Sequence, residues 1–184
     1  TEGAKRAMFP GMNLASAFAA SAQRNAGKTA MFWGDQEYHY ELLHAQATQL
    51  GALLQDRFGV HPGDRVGLWL KNCPEFVPAL FGVFQAGAVV VPINNFLKPD
   101  EIGYILADAD IDVLITDGTM AEHQPALLAL RPQLRIWQVE EFAKPENCNA
   151  ALVATRNLEP GTRNPEDLAL IIYTSGTTGR PKGA

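Results

Sequence analysis

The stretch FVPALFGVFQAGAVVVPI, residues 76–93, carries no charge over 18 positions. That is the lower limit for a helix that crosses a bilayer. Its punctuation argues against one. Pro78, Gly82, Gln85 and the Ala86-Gly87-Ala88 step interrupt the run. Val89, Val90 and Val91 then switch the local preference to extended structure, because branching at Cβ crowds a helix. The expectation is a buried helix, a glycine stop and a buried parallel strand.

The same rhythm extends outward in both directions. On the N-terminal side, the turn His61-Pro62-Gly63-Asp64 leads into an apolar strand at Val66–Leu70. Phe76, Leu80, Phe81, Val83 and Phe84 make the next helix apolar nearly all round, hence buried. On the C-terminal side, a helix begins near Pro99-Asp100-Glu101, whose acids suit its positive end. A strand at Val113–Thr116, a helix over Ala121–Leu130 that Pro125 shortens or bends, and a strand at Leu134–Val139 follow. Such alternation with short connections implies an α/β fold, a mainly parallel sheet with helices on both faces.

Three elements precede this core. An Asn13-capped helix is expected to bury Leu14, Ala17, Phe18 and Ser21–Ala22. Thr29–Trp33 and Glu37–Tyr40 flank Gly34-Asp35, a pattern for a type II′ hairpin. A helix over Glu41–Phe58 puts Leu43, Ala47, Leu50 and Leu54 on one face before Gly59 ends it. Lys5 and Arg6 ahead of the alanine-rich Met12–Ala22 imitate a signal peptide, but Pro10, Gly11, Asn13 and Ser16 break the apolar run. Residues 140–167 carry Pro145, Pro160, Gly161 and Pro165 and read as a long irregular connection.

Composition narrows the function classes. With 47% apolar and 19% charged residues in 184, the chain has a globular balance, which excludes disorder, a collagen repeat and a coiled coil. Fifteen Lys and Arg against 20 Asp and Glu give a net charge of -5, so no basic field exists for nucleic acid. Cys73 and Cys148 lack metal or redox spacing and read as reduced thiols, which favours a cytoplasmic setting with no transmembrane segment. His39, His44, His61 and His123 share no metal-ligand spacing. Trp33, Trp69 and Trp137 read as core or sheet-edge packing. Asp108, Asp110 and Asp112, between a helix end and a strand, read as a solvated turn.

A last buried strand, Leu168–Tyr173, delivers the segment that speaks about chemistry: YTSGTTGRPKGA, residues 173–184. Its glycines let backbone N–H groups approach a ligand as an anion-binding nest. Thr174, Ser175, Thr177 and Thr178 add neutral hydroxyl donors, and Lys182 supplies a point charge. Such donors suit the oxygens of a polyphosphate. The spacing is not that of a Walker A loop, since Gly183 follows Lys182 where a magnesium-holding hydroxyl would stand. Gly176 to Ala184 lacks the downstream strand it would lead into, so this stretch is expected to be mobile or held by a neighbouring molecule, since unpaired ends fray.

Tyr173 through Gly183 closely resembles the phosphate-loop signature of the adenylate-forming superfamily: acyl-CoA synthetases, luciferases and the adenylation domains of peptide synthetases. That signature is aromatic-Thr-Ser-Gly-Thr-Thr-Gly-x-Pro-Lys-Gly, and each specified place is matched. Weaker similarities cover nearly the whole chain, at Tyr38–Leu42, Gly63–Val66 with Leu70–Asn72, Gln85–Ala88 with Pro92–Asn94, and Glu101–Leu106. Asn95 departs from the pattern, where a proline commonly stands.

The resemblance implies a two-step reaction. A carboxylate attacks the α-phosphorus of ATP to give acyl-adenylate and pyrophosphate; a thiol, usually of coenzyme A, then displaces AMP. It implies ATP, Mg2+ and coenzyme A as the small molecules. Thr174, Ser175, Gly176, Thr177, Thr178, Gly179 and Lys182 would bind the ATP phosphates. Residues 1–184 would be the N-terminal part of the AMP-binding domain, with the catalytic lysine and the adenine and ribose contacts further on. No catalytic residue and no metal ligand is therefore assigned within them. Asn94, where amino-acid-activating domains carry aspartate, and Phe96-Leu97 with Pro99, Glu101 and Ile102 point to a fatty acid–CoA ligase. The alternatives are an amino-acid or aryl-acid adenylating enzyme serving a carrier protein, and a non-catalytic nucleotide-binding module. Peripheral contact with a membrane and a homodimer stay open.

Overall fold

A computed structural model describes residues 12–143, 164–174 and 181–184. Helix α1 (Leu14–Arg24) leads to the hairpin β1 (Thr29–Trp33) and β2 (Gln36–His39), then α2 (Tyr40–Asp56). Next come β3 (Arg65–Trp69), α3 (Phe76–Gln85), β4 (Val89–Pro92), α4 (Pro99–Asp108) and β5 (Val113–Thr116). A 3-10 turn, Gly118–His123, precedes α5 (Gln124–Leu130) and β6 (Arg135–Gln138). After a second 3-10 turn, Val139–Ala143, the last described elements are β7 (Tyr173–Thr174) and β8 (Lys182–Gly183).

Four strands form one sheet in the order β4-β3-β5-β6, and every pair is parallel. The alternation of strands and helices is thus realised as an α/β sheet. Its two faces differ in their cover. Val66, Leu68, Val90, Val113 and Ile115 pack with Leu50, Leu54, Ala79 and Val83 of α2 and α3. Trp69, Val91 and Leu114 pack with Ile102, Ile105, Leu106 and Leu127 of α4 and α5.

The run that opened the sequence reading splits as its punctuation requires. It yields α3 and β4, joined where Gly87 adopts φ +76, a left-handed conformation that a side chain would strain. Among the described residues, no helix is long and apolar enough to cross a membrane. Gly82 also serves packing. A Cβ there would lie 2.8 Å from Leu50 Cβ and 3.0 Å from the Ala47 carbonyl oxygen, so its absence lets α2 and α3 touch. The all-round burial expected of α3 holds for Ala79, Val83 and Phe84, whereas Phe76, Leu80 and Phe81 are half-buried at the edge of the cluster.

Helix α1 is capped as read: Asn13 Oδ1 accepts from the Ser16 N–H at 2.8 Å. Its core stripe is rotated by about one residue from the expected one. Ala15, Phe18 and Ala22 are buried, and Leu14 is 51% exposed. Phe18 stacks on Phe81 of α3 at 3.9 Å, which fixes that rotation. The β1–β2 hairpin turns at Gly34, φ +58, with a negative φ at Asp35, as a type II′ turn demands. Trp69 and Trp137 are core residues, but Trp33 on the hairpin is exposed. Pro125 stands at the first turn of α5, so the helix expected from Ala121 begins only at Gln124, after a 3-10 turn.

A further expectation needs correction, and another falls largely outside the described residues. Leu168–Tyr173 is not a continuous buried strand: it meets β4 through Val90 alone, and Leu168 and Ile172, on either side of that contact, are half exposed. Of the irregular connection at 140–167, residues 144–163 lie outside the described residues.

Candidate functional site

The segment leading to the YTSGTTGRPKGA motif runs parallel to β4. The Val90 N–H donates to the Ala169 carbonyl at 2.9 Å, and the Ile171 N–H donates to the Val90 carbonyl at 3.0 Å. Tyr173 and Thr174 therefore emerge at the carboxyl ends of the strands, where open α/β sheets place their ligands. The chain then returns antiparallel. Tyr173 stands opposite Gly183 and Thr174 opposite Lys182, while Ile172 and Ala184 exchange two backbone hydrogen bonds, at 2.9 and 3.1 Å. The expectation of a tail without a strand partner in its own chain is thus corrected for Lys182–Ala184. The segment's own preceding strand supplies the partner, a pairing that a search for a downstream strand misses.

Of the seven residues read as phosphate-binding, Thr174 and Lys182 are brought face to face, both exposed. Ser175, Gly176, Thr177, Thr178 and Gly179 lie outside the described residues. Among the described residues, no carboxylate forms an ion pair with Lys182. A cation opposite a hydroxyl, at the neck of a loop rich in glycine and hydroxyl residues, is a donor set that fits phosphate oxygens.

Two side chains at the carboxyl side of the sheet escaped the sequence reading. Tyr173 entered it only as the aromatic residue of the motif, yet its hydroxyl donates to Asp108 Oδ2 at 2.5 Å, and Tyr104 donates to Asp108 Oδ1 at 3.4 Å. Burial, then the hydrogen bond and charge of Asp108, hold the Tyr173 phenol well above its ordinary value. The three alternating aspartates are therefore not a plain solvated turn. Asp110 and Asp112 each meet Arg131 at 2.8 Å, and Asp108 holds Tyr173.

The second is Asp117. The strand order reverses between β3 and β5, the kind of crevice where many α/β proteins bind their ligand. Here the chain fills it with its own carboxylate. Asp117 is buried and accepts from the Lys71 N–H at 3.1 Å and the Thr119 N–H at 2.8 Å. Nothing in the local sequence distinguishes it from a solvent-facing aspartate.

Other candidates carry no site. Among the described residues, no group of three or more His, Cys, Asp or Glu is placed to hold a metal. Cys73 is half-buried; desolvation, followed by the Glu75 carboxylate, pushes its thiol up to about 11. Asn94, the cue for a fatty acid, spends its side chain on a local turn, accepting from the Phe96 N–H at 3.0 Å. Phe96 itself is 89% exposed and lines no acyl pocket within the described residues.

Residues 18–184 match the family model described as AMP-binding enzyme. The chain belongs to this family. AMP-binding enzymes and their neighbours resemble it along nearly its whole length. Bacitracin synthase 3 of Bacillus licheniformis is 34% identical over 166 residues, covering 90% of this chain and 2% of its own length. The anthranilate CoA ligase AuaEII, solved in complex with anthranoyl-AMP, superposes with a TM-score of 0.79 at 30% identity, over 94% of this chain and 33% of that one. The nonribosomal peptide synthetase FmoA3, in its alpha-methyl-L-serine-AMP bound form, gives a TM-score of 0.75 at 26% identity, over 95% of this chain and 18% of that one. The chain thus spans at most a third of these three proteins, and its α/β fold is that of the N-terminal region of an adenylate-forming enzyme.

Proposed function

We propose that residues 1–184 are the N-terminal part of an AMP-binding domain that activates an amino acid or an aryl acid as its acyl-adenylate and passes the acyl group to a carrier protein. The observation that carries the reading is the Thr174–Lys182 pair, facing each other at the carboxyl edge of the sheet. ATP binds with its β- and γ-phosphates at the loop, held by Lys182, the hydroxyls of Thr174, Ser175, Thr177 and Thr178, and the backbone of Gly176 and Gly179. The substrate carboxylate oxygen attacks the α-phosphorus, the bond from that phosphorus to the bridging oxygen breaks, and pyrophosphate leaves with the negative charge that the loop offsets. A thiol then attacks the acyl carbon, and AMP departs. Mg2+ enters as MgATP on the phosphate oxygens.

The choice of acid follows the relatives. FmoA3 is described with an aminoacyl adenylate and AuaEII with an aryl one. The fatty-acid cue weakens, because Asn94 and Phe96 build a turn and an exposed ring. Coenzyme A as acceptor is the second reading, favoured by the likeness to AuaEII, a CoA ligase. Pyrophosphate release by the full-length protein across amino, aryl and fatty acids, with carrier protein or coenzyme A added, tests both choices. Turnover with amino or aryl acids and acyl transfer to the carrier is expected. Release with fatty acids alone, or thioester on coenzyme A alone, overturns the corresponding half of the proposal.

A further inference from the structure

Tyr173 stands where the loop begins and Gly183 where it ends, opposite each other in the ladder. A Cβ on Gly183 would lie 3.0 Å from Tyr173 Cζ and 2.9 Å from Ile171 Cγ2. The ring therefore lies on the backbone of Gly183, and moving one moves the other. Beyond the ring, the hydroxyl reaches Asp108 Oδ2 at 2.5 Å, across 65 positions of chain. Asp108 is the last residue of α4, and Ile102, Ile105 and Leu106 of that helix are fully buried against the sheet. The neck of the loop is thus tethered to a rigid element by a directional side-chain hydrogen bond, in addition to its two backbone bonds at Val90 and the packing of Ile171 and Tyr173 on the α4 cluster.

The geometry points to Asp108 as a positioning residue for the phosphate-binding loop: its carboxylate fixes the Tyr173 hydroxyl, and the Tyr173 ring fixes both ends of the loop. The inference rests on the phosphate-binding reading of the loop given above. A hydrogen bond from a neutral phenol to a carboxylate is directional and stronger than one between neutral groups. A tyrosine phenol is protonated, and so a donor, throughout the neutral range, and the upward shift of Tyr173 only extends that range. Asp108 touches no substrate. It acts by holding the Thr174–Lys182 pair at one place relative to the sheet, so that the donors meet the β- and γ-phosphates without being ordered anew at each binding event.

Calorimetric titration of the full-length protein with MgATP and, separately, with AMP tests the proposal, since AMP lacks the phosphates that the loop holds. Tyr173→Phe and Asp108→Ala are each expected to weaken MgATP binding roughly 3- to 10-fold, the worth of one hydrogen bond. AMP binding should stay within about two-fold of the wild type on the same reasoning. The double variant should be no weaker than either single one, because both remove the same contact. Asp108→Asn, whose amide oxygen still accepts, should restore most of the loss. Unchanged MgATP affinity in Tyr173→Phe, equal losses for MgATP and AMP, or additive losses in the double variant overturn the proposal. Lys182→Ala separates it from the reading beneath. If that variant weakens MgATP while Tyr173→Phe does not, Asp108 loses its role and the loop keeps its own. If Lys182→Ala leaves MgATP unaffected, both fall.

Discussion

On the proposed reading, the lysine ammonium opposite a threonine hydroxyl serves the step in which charge builds up on the leaving pyrophosphate. In the full-length protein, Lys182→Ala and Thr177→Ala should slow acyl-adenylate formation by roughly 10- to 150-fold, the loss of one hydrogen bond to a charged oxygen. Thioester formation from pre-made acyl-adenylate should be nearly untouched, because pyrophosphate has left by then. Assaying the half-reactions separately decides; equal losses in both would reduce the loop to scaffolding. Cys73 gives a second prediction. With its thiol pushed up to about 11 from 9.0, it holds about 100-fold less thiolate at pH 8. Alkylation by iodoacetamide, followed peptide by peptide, should therefore be slower at Cys73 than in the unfolded chain, by about 10-fold or more once the greater nucleophilicity of a more basic thiolate is allowed for. At this scale the family was legible from the motif, because glycine, hydroxyl and lysine in that spacing have few other uses. The Tyr173–Asp108 bond and the burial of Asp117 were not, since each depends on which distant segments the sheet brings together.

Elements were read from periodicity, and they fail where periodicity is silent about neighbours. The capped start of α1 was plain from Asn13, but its rotation follows from Phe18 meeting Phe81, a contact no local pattern contains. The last parallel strand looked buried because its residues are apolar; it touches β4 at one residue, and apolar content alone does not report how much ladder there is. The close approach of α2 and α3 makes a prediction of its own. Gly82→Ala brings a methyl group to 2.8 Å from Leu50 Cβ and 3.0 Å from a backbone oxygen, so a helix must move. The expected cost is about 1–3 kcal/mol in urea unfolding, as for other overpacked sites. Gly27→Ala, with nothing within 4 Å of its Cβ, should be neutral or slightly stabilising. Equal effects at the two positions would mean that backbone freedom, and not helix contact, is what Gly82 supplies.

For the molecule as a whole, the α/β class followed from strand–helix alternation, whereas the order β4-β3-β5-β6 did not, because alternation leaves open on which side each strand is added. That order places β3 between two ladders with Val66, Leu68 and Trp69 fully buried. Amide exchange should accordingly be slowest in β3 and β5 and faster by orders of magnitude in the β1–β2 hairpin, whose Phe32 and Trp33 face solvent. Comparable protection in hairpin and sheet would show that the two open as one unit. The order also bears on synthesis. As the nascent chain leaves the ribosome, β3 appears first, β4 joins one side of it, β5 the other, β6 extends β5, and the segment at 169–171 extends β4. Each newcomer docks on a free margin and none has to wedge between partners already joined. Translation can therefore proceed at its own pace without undoing the part of the sheet that has formed.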